Sequence, residues 1–180
     1  MSSSDDTALD PEVARRLGER AGEVIEPVIS GRGLRVGVVC GQFNGAITAR
    51  LLEGALLALD EAGVDRRDIS ITWVPGAFEI PLAALAYADG MKPYDAVLTL
   101  GAVIRGDTGH YELVAGECAR GVQDVQLSTR VPVVFGVLTT NTIEQALERS
   151  QPDASNKGRE AALSALSMAS VLSQGSLGDS

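Results

Sequence analysis

Residues 101–121 read GAVIRGDTGHYELVAGECARG and hold the only histidine of the chain, His110, between a glycine-rich loop and the start of a helical pattern. Histidine is the one side chain whose ordinary pKa lies near neutrality, so it suits proton transfer. A loop that feeds a helix N-terminus offers unpaired backbone N–H groups, and these suit an anion. Gly106, Asp107, Thr108 and Gly109 thus combine a phosphate-sized cradle with a proton-transfer group at His110. The segment is no Walker motif, because GxxxxGK[ST] is absent. A lone histidine is more often a satisfied structural residue than a catalyst, and the Asp107 carboxylate opposes an anion unless it points outward.

Two further segments have similar character. Gly41-Gln42-Phe43-Asn44 puts an aromatic ring after an apolar run, where Phe43 could stack on a flat heterocycle or simply pack beneath its loop. Val74-Pro75-Gly76-Ala77-Phe78-Glu79-Ile80-Pro81 brings small residues that let a ligand approach the backbone, and a carboxylate that could accept from hydroxyl groups. Glu79 has an alternative use as a first-turn carboxylate of the next helix. Phe135, Arg149 and Lys157 are weak signals singly: Arg149 suits a helix C-terminus and Lys157 a solvated surface.

Those loops need elements to position them. Four short apolar runs, 34–40, 69–74, 96–104 and 131–138, each end in one of the loops or in a polar turn. They read as parallel strands covered on both faces. Between them lie helical periods. Ile47, Leu51, Leu52, Ala55, Leu56 and Leu59 form one stripe that stops at Gly63; a second helix spans 80–89; a third aligns Tyr111, Val114, Cys118, Val122 and Val125. A fourth begins at Asn141 or Thr142 and runs to Arg149, and a fifth covers 156–172 with Ala162, Leu163, Leu166 and Ala169 at core spacing. Alternation of strand and helix predicts an α/β fold, a three-layer α/β/α sandwich on a four-stranded parallel sheet. Ligands of such sheets bind beyond the carboxyl ends of the strands, where every candidate motif falls.

A chain of 180 residues fits one core. Residues 1–32 read as a flexible N-terminal extension with a weakly helical stretch at 11–22, residues 33–173 as the domain, and 174–180 as a disordered Gly/Ser-rich tail. The 24 acidic and 15 basic residues give a net charge of −9, with the basic residues scattered, so neither nucleic acid nor an anionic membrane is an expected partner. No run approaches the roughly 20 apolar residues of a membrane span, and MSSSDDTALD lacks the regions of a signal peptide, so a cytoplasmic protein is expected. Cys40 and Cys118 belong to no metal-binding spacing and read as buried, reduced thiols.

Taken together, the segments are far more specific than any one. Phe43-Asn44, VPGAFEIP, GAVIRGDTGHYELV, VPVVFGVLTTNTIEQALERS and NKGREAALSAL occur in this order and spacing, and over about residues 34–172 the chain resembles the lumazine synthase family. The resemblance implies a flavodoxin-like, oligomeric α/β fold. It also implies an enzyme of riboflavin biosynthesis that condenses 5-amino-6-ribitylaminouracil with 3,4-dihydroxy-2-butanone 4-phosphate, through a Schiff base, loss of phosphate and ring closure. The product is 6,7-dimethyl-8-ribityllumazine, and no metal or redox cofactor takes part.

By matching motif, the resemblance implies that Phe43 stacks on the pyrimidine, that Ala77, Phe78 and Glu79 bind the ribityl chain, and that Val103 and Ile104 meet the pyrimidine edge through their backbone. His110 would be the proton-transfer residue, with Asp107 and Thr108 beside the phosphate. Phe135 and Arg149 would come from the adjacent subunit, Arg149 to the phosphate, with Lys157 near the same pocket. The implied partners are small-molecule substrates, further copies of the chain as a pentamer or a sixty-subunit icosahedral shell, and riboflavin synthase as a shell cargo. The chain departs from the family pattern at Gln42, where arginine is common, and at Asp107 and Gly109.

Overall fold

The computed structural model describes residues 9–174. Its centre is a parallel sheet of β1 (Val36–Gly41), β2 (Ile69–Val74), β3 (Ala96–Ile104) and β4 (Val133–Thr140) in the order β2–β1–β3–β4. Six helices accompany it: α1 (Pro11–Gly18), α2 (Gly45–Glu61), α3 (Ile80–Ala88), α4 (His110–Thr129), α5 (Ile143–Arg149) and α6 (Lys157–Gln174). None is long and apolar enough to cross a membrane.

The two-residue period of the strands splits the core into two layers. Val36, Val38 and Cys40 of β1 and Ala96, Leu98, Leu100 and Ala102 of β3 face Leu51, Ala55 and Leu59 of α2, Ala146 of α5 and Ala162 and Leu166 of α6. Val39 of β1 and Val97 and Val103 of β3 face the other way, onto Ile80 and Ala84 of α3 and Cys118, Val122 and Val125 of α4. The result is the expected three-layer α/β/α sandwich.

Full cover on both faces holds for β1 and β3 but not for the other two strands. β2 and β4 are the sheet's edges, and Ile71, Trp73 and Phe135 remain substantially exposed on them. An edge strand has a hydrogen-bonded neighbour on one side only, so fewer side chains reach across it. β4 also runs two residues later than its apolar stretch, because pairing with β3 continues through Val103↔Thr139 and Ile104↔Thr140.

Helix ends follow their sequence signals closely. Gly63 adopts φ +84°, and the amides of Gly63 and Val64 donate to the carbonyls of Asp60 (2.9 Å) and Leu59 (3.0 Å), which closes α2 with paired reverse bonds. Thr142 caps α5 by accepting from the amide of Gln145 at 3.3 Å. Asn156 caps α6: its Oδ1 accepts from the amides of Gly158 (2.9 Å) and Arg159 (3.2 Å). Its Nδ2 donates to the carbonyls of Arg50 (3.2 Å) and Gln151 (2.9 Å), so a fully buried amide is satisfied on both sides. Gly158 lets α6 close on α2, since a Cβ there would lie 1.9 Å from the Leu51 carbonyl oxygen.

The segment before β1 lies along the end of α6. Val28 N–H donates to Ser170 Oγ at 3.0 Å, Gln174 Nε2 donates to the Glu26 carbonyl at 3.2 Å, and Gly31 is buried against Val64. The helical stretch anticipated over 11–22 is the shorter α1, capped by Asp10 and with no buried residue. Gln174, assigned from sequence to the tail, is the last residue of α6. The remaining tail positions, 175–180, and the Ser/Asp-rich start, 1–8, lie outside the described residues.

Candidate functional site

The strand order reverses between β1 and β3: the chain leaves β1 toward one edge of the sheet and β3 toward the other. Diverging connections open a crevice at such a switch point. On one side, the amides of Gln42 and Phe43 donate to the carbonyls of Val74 (2.8 Å) and Pro75 (3.1 Å), pinning the loop after β1 to the end of β2. Asn44 then takes a left-handed turn (φ 58°, ψ 32°), a conformation asparagine tolerates better than most residues, and α2 follows. Its Nδ2 donates to the Ala102 carbonyl at 2.9 Å, beyond the last β1–β3 pair, Cys40↔Leu100. The crevice therefore has a cross-tie. The Phe43 ring does not pack under its loop; the residue is 74% exposed.

The second wall follows β2. Gly76 is extended, and Ala77–Glu79 form a single 3-10 turn that leads into α3, with Pro81 in the first turn of that helix. Ala77 is buried, whereas Phe78 and Glu79 are exposed. A Cβ on Gly76 would lie 3.3 Å from Glu79 Oε2, so the carboxylate folds back over this small residue.

The third wall is the end of β3 with the loop behind it. Val103 is buried and Ile104 half-buried. Asp107, Thr108 and His110 are exposed, and His110 is the first residue of α4, its amide donating to Thr108 Oγ1 at 3.4 Å. The amides of Gly106, Asp107, Thr108 and Gly109 find no acceptor among the described residues.

Arg105, which the sequence reading passed over, is the best-connected side chain here. Its amide donates to the Thr140 carbonyl at 2.9 Å and its Nε to Asn141 Oδ1 at 3.0 Å. The guanidinium also pairs with the Glu112 carboxylate and lies 4.1 Å from the centroid of the Tyr111 ring. Hydrogen bonding to Arg105 holds the Glu112 carboxyl below the usual carboxylate range, and the same bond raises the Arg105 pKa. The available signal was an arginine at the end of an apolar strand with an acid one helical turn into the next element.

Phe43, Ala77, Phe78, Glu79, Val103, Ile104, Asp107, Thr108 and His110 thus share one edge of the sheet within a single chain. Phe135 does not join them. It pairs with Thr99, five residues before the Ile104↔Thr140 pair, on the outer edge of β4. There it lines a groove of about 230 Å³ with Lys157 and Glu160 of α6, and Lys157 Nζ bonds both Glu160 oxygens at 2.7 Å. Arg149 ends α5, and its guanidinium donates to the Gln145 carbonyl at 3.0 Å, with Glu148 at 3.7 Å.

A larger concavity of about 380 Å³ lies between α2 and the 150–156 connection and includes none of the candidate residues. Within one chain Phe43, Phe78, Glu79, Thr108 and His110 are all exposed at the carboxyl edge. Among the described residues, no group of three or more His, Cys, Asp or Glu could hold a metal ion. The family model described as 6,7-dimethyl-8-ribityllumazine synthase matches residues 33–173.

Proposed function

Since that match covers most of its length, the chain belongs to the 6,7-dimethyl-8-ribityllumazine synthase family, transferases of riboflavin biosynthesis, and on that premise we propose the reaction and the residues that perform it. The substrates are 5-amino-6-ribitylaminouracil and 3,4-dihydroxy-2-butanone 4-phosphate. The pyrimidine's 5-amino group attacks the butanone carbonyl and loses a water to form a Schiff base, and phosphate is eliminated to leave an enol that becomes a second carbonyl. The ribitylamino nitrogen closes the ring on that carbonyl with loss of a second water, giving 6,7-dimethyl-8-ribityllumazine.

The observation that carries this reading is the exposed Phe43 ring on the same strand edge as the Ala77–Glu79 turn and the His110 loop. A flat pyrimidine stacks on Phe43, and its edge meets the backbone of Val103 and Ile104. The polyhydroxyl chain runs along Ala77 and Phe78 to Glu79, whose carboxylate accepts from hydroxyl groups. Phosphate sits at the uncapped start of α4, near Thr108 and the free loop amides. Asp107 and Glu112 are the negative charges there, and Glu112 is paired with Arg105.

Little covalent work falls to the protein, because the substrate amine is already a nucleophile. Holding two partners together and moving protons supplies the acceleration, and His110 is the proton carrier. Phe135, Arg149 and Lys157 act on the site of an adjacent copy, Arg149 as the planar partner of phosphate oxygens. A head-to-tail interface of this kind that closes on itself makes a ring, here a pentamer, and pentamers can build a sixty-subunit shell with riboflavin synthase as cargo.

A turnover assay with both substrates, following the absorbance of the lumazine product, tests the reading. Product formed faster than in the uncatalysed mixture supports it. No acceleration by correctly folded protein removes it.

A further inference from the structure

The loop 106–109 has no hydrogen bond from its own amides among the described residues, yet it carries the groups on which the proposed chemistry depends. What defines its shape is therefore the placement of its two ends. We propose that Arg105 is a positioning residue: with Glu112, Tyr111 and Asn141 it buckles those ends together and keeps the loop amides and His110 in one arrangement, ready for a phosphorylated substrate. The inference rests on the functional reading above for its consequence, but not for its geometry.

The connections are of different kinds and point in different directions. The Arg105 amide extends the β3–β4 ladder by one bond to Thr140. Its Nε reaches Asn141, whose own amide is fixed by Gln145 Oε1 at 2.9 Å, so β4 and α5 brace the near end of the loop. The guanidinium face covers Tyr111 while an edge nitrogen meets Glu112, so the first turn of α4 braces the far end. One planar cation thus satisfies an amide oxygen, an aromatic face and a carboxylate, which an ammonium of similar charge does not do at once.

Arg105 and Glu112 are both exposed, and a surface ion pair contributes little to global stability. A buckle on the surface should therefore appear in the site and not in the fold. Misplacing bound groups by about 1 Å costs up to 10²-fold in rate, so loosening this loop should act at that scale.

The test compares the parent with Arg105→Lys, Arg105→Ala and Glu112→Gln in three measurements. These are thermal melting, hydrogen exchange of the hydrogen-bonded amides at 105, 110 and 141, and the separate KM values of the phosphate substrate and the pyrimidine. The proposal expects melting within a few degrees of the parent, faster exchange confined to the amides at 105, 110 and 141, and a KM for the phosphate substrate raised roughly ten- to hundredfold. The pyrimidine KM should stay near the parent's, and Arg105→Lys should recover part of the loss. Unchanged exchange in both Arg105→Ala and Glu112→Gln overturns it, whether or not the parent turns over. A loss confined to the arginine variants, with Glu112→Gln like the parent, also overturns it and makes Arg105 a direct phosphate ligand. A parent that fails to condense the substrates but whose variants show local loosening leaves the buckle standing and removes the functional reading instead.

Discussion

Phe135 stands opposite Thr99 in the β3–β4 ladder, about 16 Å along the strand from the end at which Phe43 and His110 lie. No rotamer of a phenylalanine spans that distance, so Phe135 cannot complete the site of its own chain. The proposed ring of subunits can be tested on this relationship. His110→Ala and Phe135→Ala chains, mixed before assembly, should recover activity above either alone, because about a quarter of the interfaces in a random ring join an intact His110 to an intact Phe135. A mixture of Phe135→Ala with Arg149→Ala should recover none, since in the proposed ring both residues come from the same neighbour. Equal activity in the two mixtures would disprove the division of the site.

His110 is exposed and makes no side-chain hydrogen bond among the described residues, so its replacement should leave folding alone. General acid–base groups are worth roughly 10² to 10⁴ in rate. His110→Ala should lower turnover toward that range while pyrimidine affinity, carried by stacking and backbone contacts, stays near the parent's. Steady-state kinetics with a separate pyrimidine binding measurement check both halves. Turnover equal to the parent's at every pH would exclude the role.

Much of the architecture was legible because it depends on local pattern. The stripe from Ile47 to Leu59 and its stop at Gly63 are one helix and its cap, and the apolar runs at 69–74 and 96–104 are two strands with the same bounds. Features that depend on who sits beside whom were not legible. Ile71 and Trp73 are as apolar as residues of a covered strand, yet β2 lies at the edge, which only the strand order decides. Arg105 and Glu112 look like two ordinary surface charges until β3, β4 and α4 bring them together. The separation of Phe135 from Phe43 follows from register, and register is a property of the pairing rather than of either segment.

Gly158 tests the packing of α6 on α2. A methyl group at this position would overlap the Leu51 carbonyl, which belongs to a helix backbone and cannot swing aside. Overpacking of this kind typically costs about 1–3 kcal/mol. Gly158→Ala should therefore lower the unfolding free energy by at least that amount, even though alanine is the better helix former. Denaturant titration with an unchanged slope shows the effect; a variant as stable as the parent would mean that the two helices separate freely.

Cys40 and Cys118 are fully buried on opposite faces of the sheet, and burial pushes each thiol from about 9 up to about 12. The unfolded chain loses these protons near pH 9 while the folded chain keeps them. The associated stability is therefore complete below pH 9 and falls as the pH rises toward 12. Iodoacetamide at pH 8 should leave both thiols unmodified in the native protein and label both in denaturant. Between pH 8.5 and 10.5 the melting temperature should fall less steeply for the Cys40→Ala, Cys118→Ala double variant than for the parent. Matching slopes would show that the thiols do not titrate with unfolding.

The connection from α5 to α6 is compact and internally braced: Ser155 donates from its amide and hydroxyl to Asp153 Oδ1, and the Asn156 amide donates to the Asp153 carbonyl at 3.2 Å. In the family the chain resembles, shell-forming members have a comparably short connection before the Asn-Lys-Gly segment, and several members that stop at pentamers have extra residues there. The proposed assembly is thus a pentamer that builds further into a shell. Light scattering of the full chain at neutral pH should show particles in the megadalton range. A single species of about five chains would rule out the shell and leave the enzyme reading as it stands.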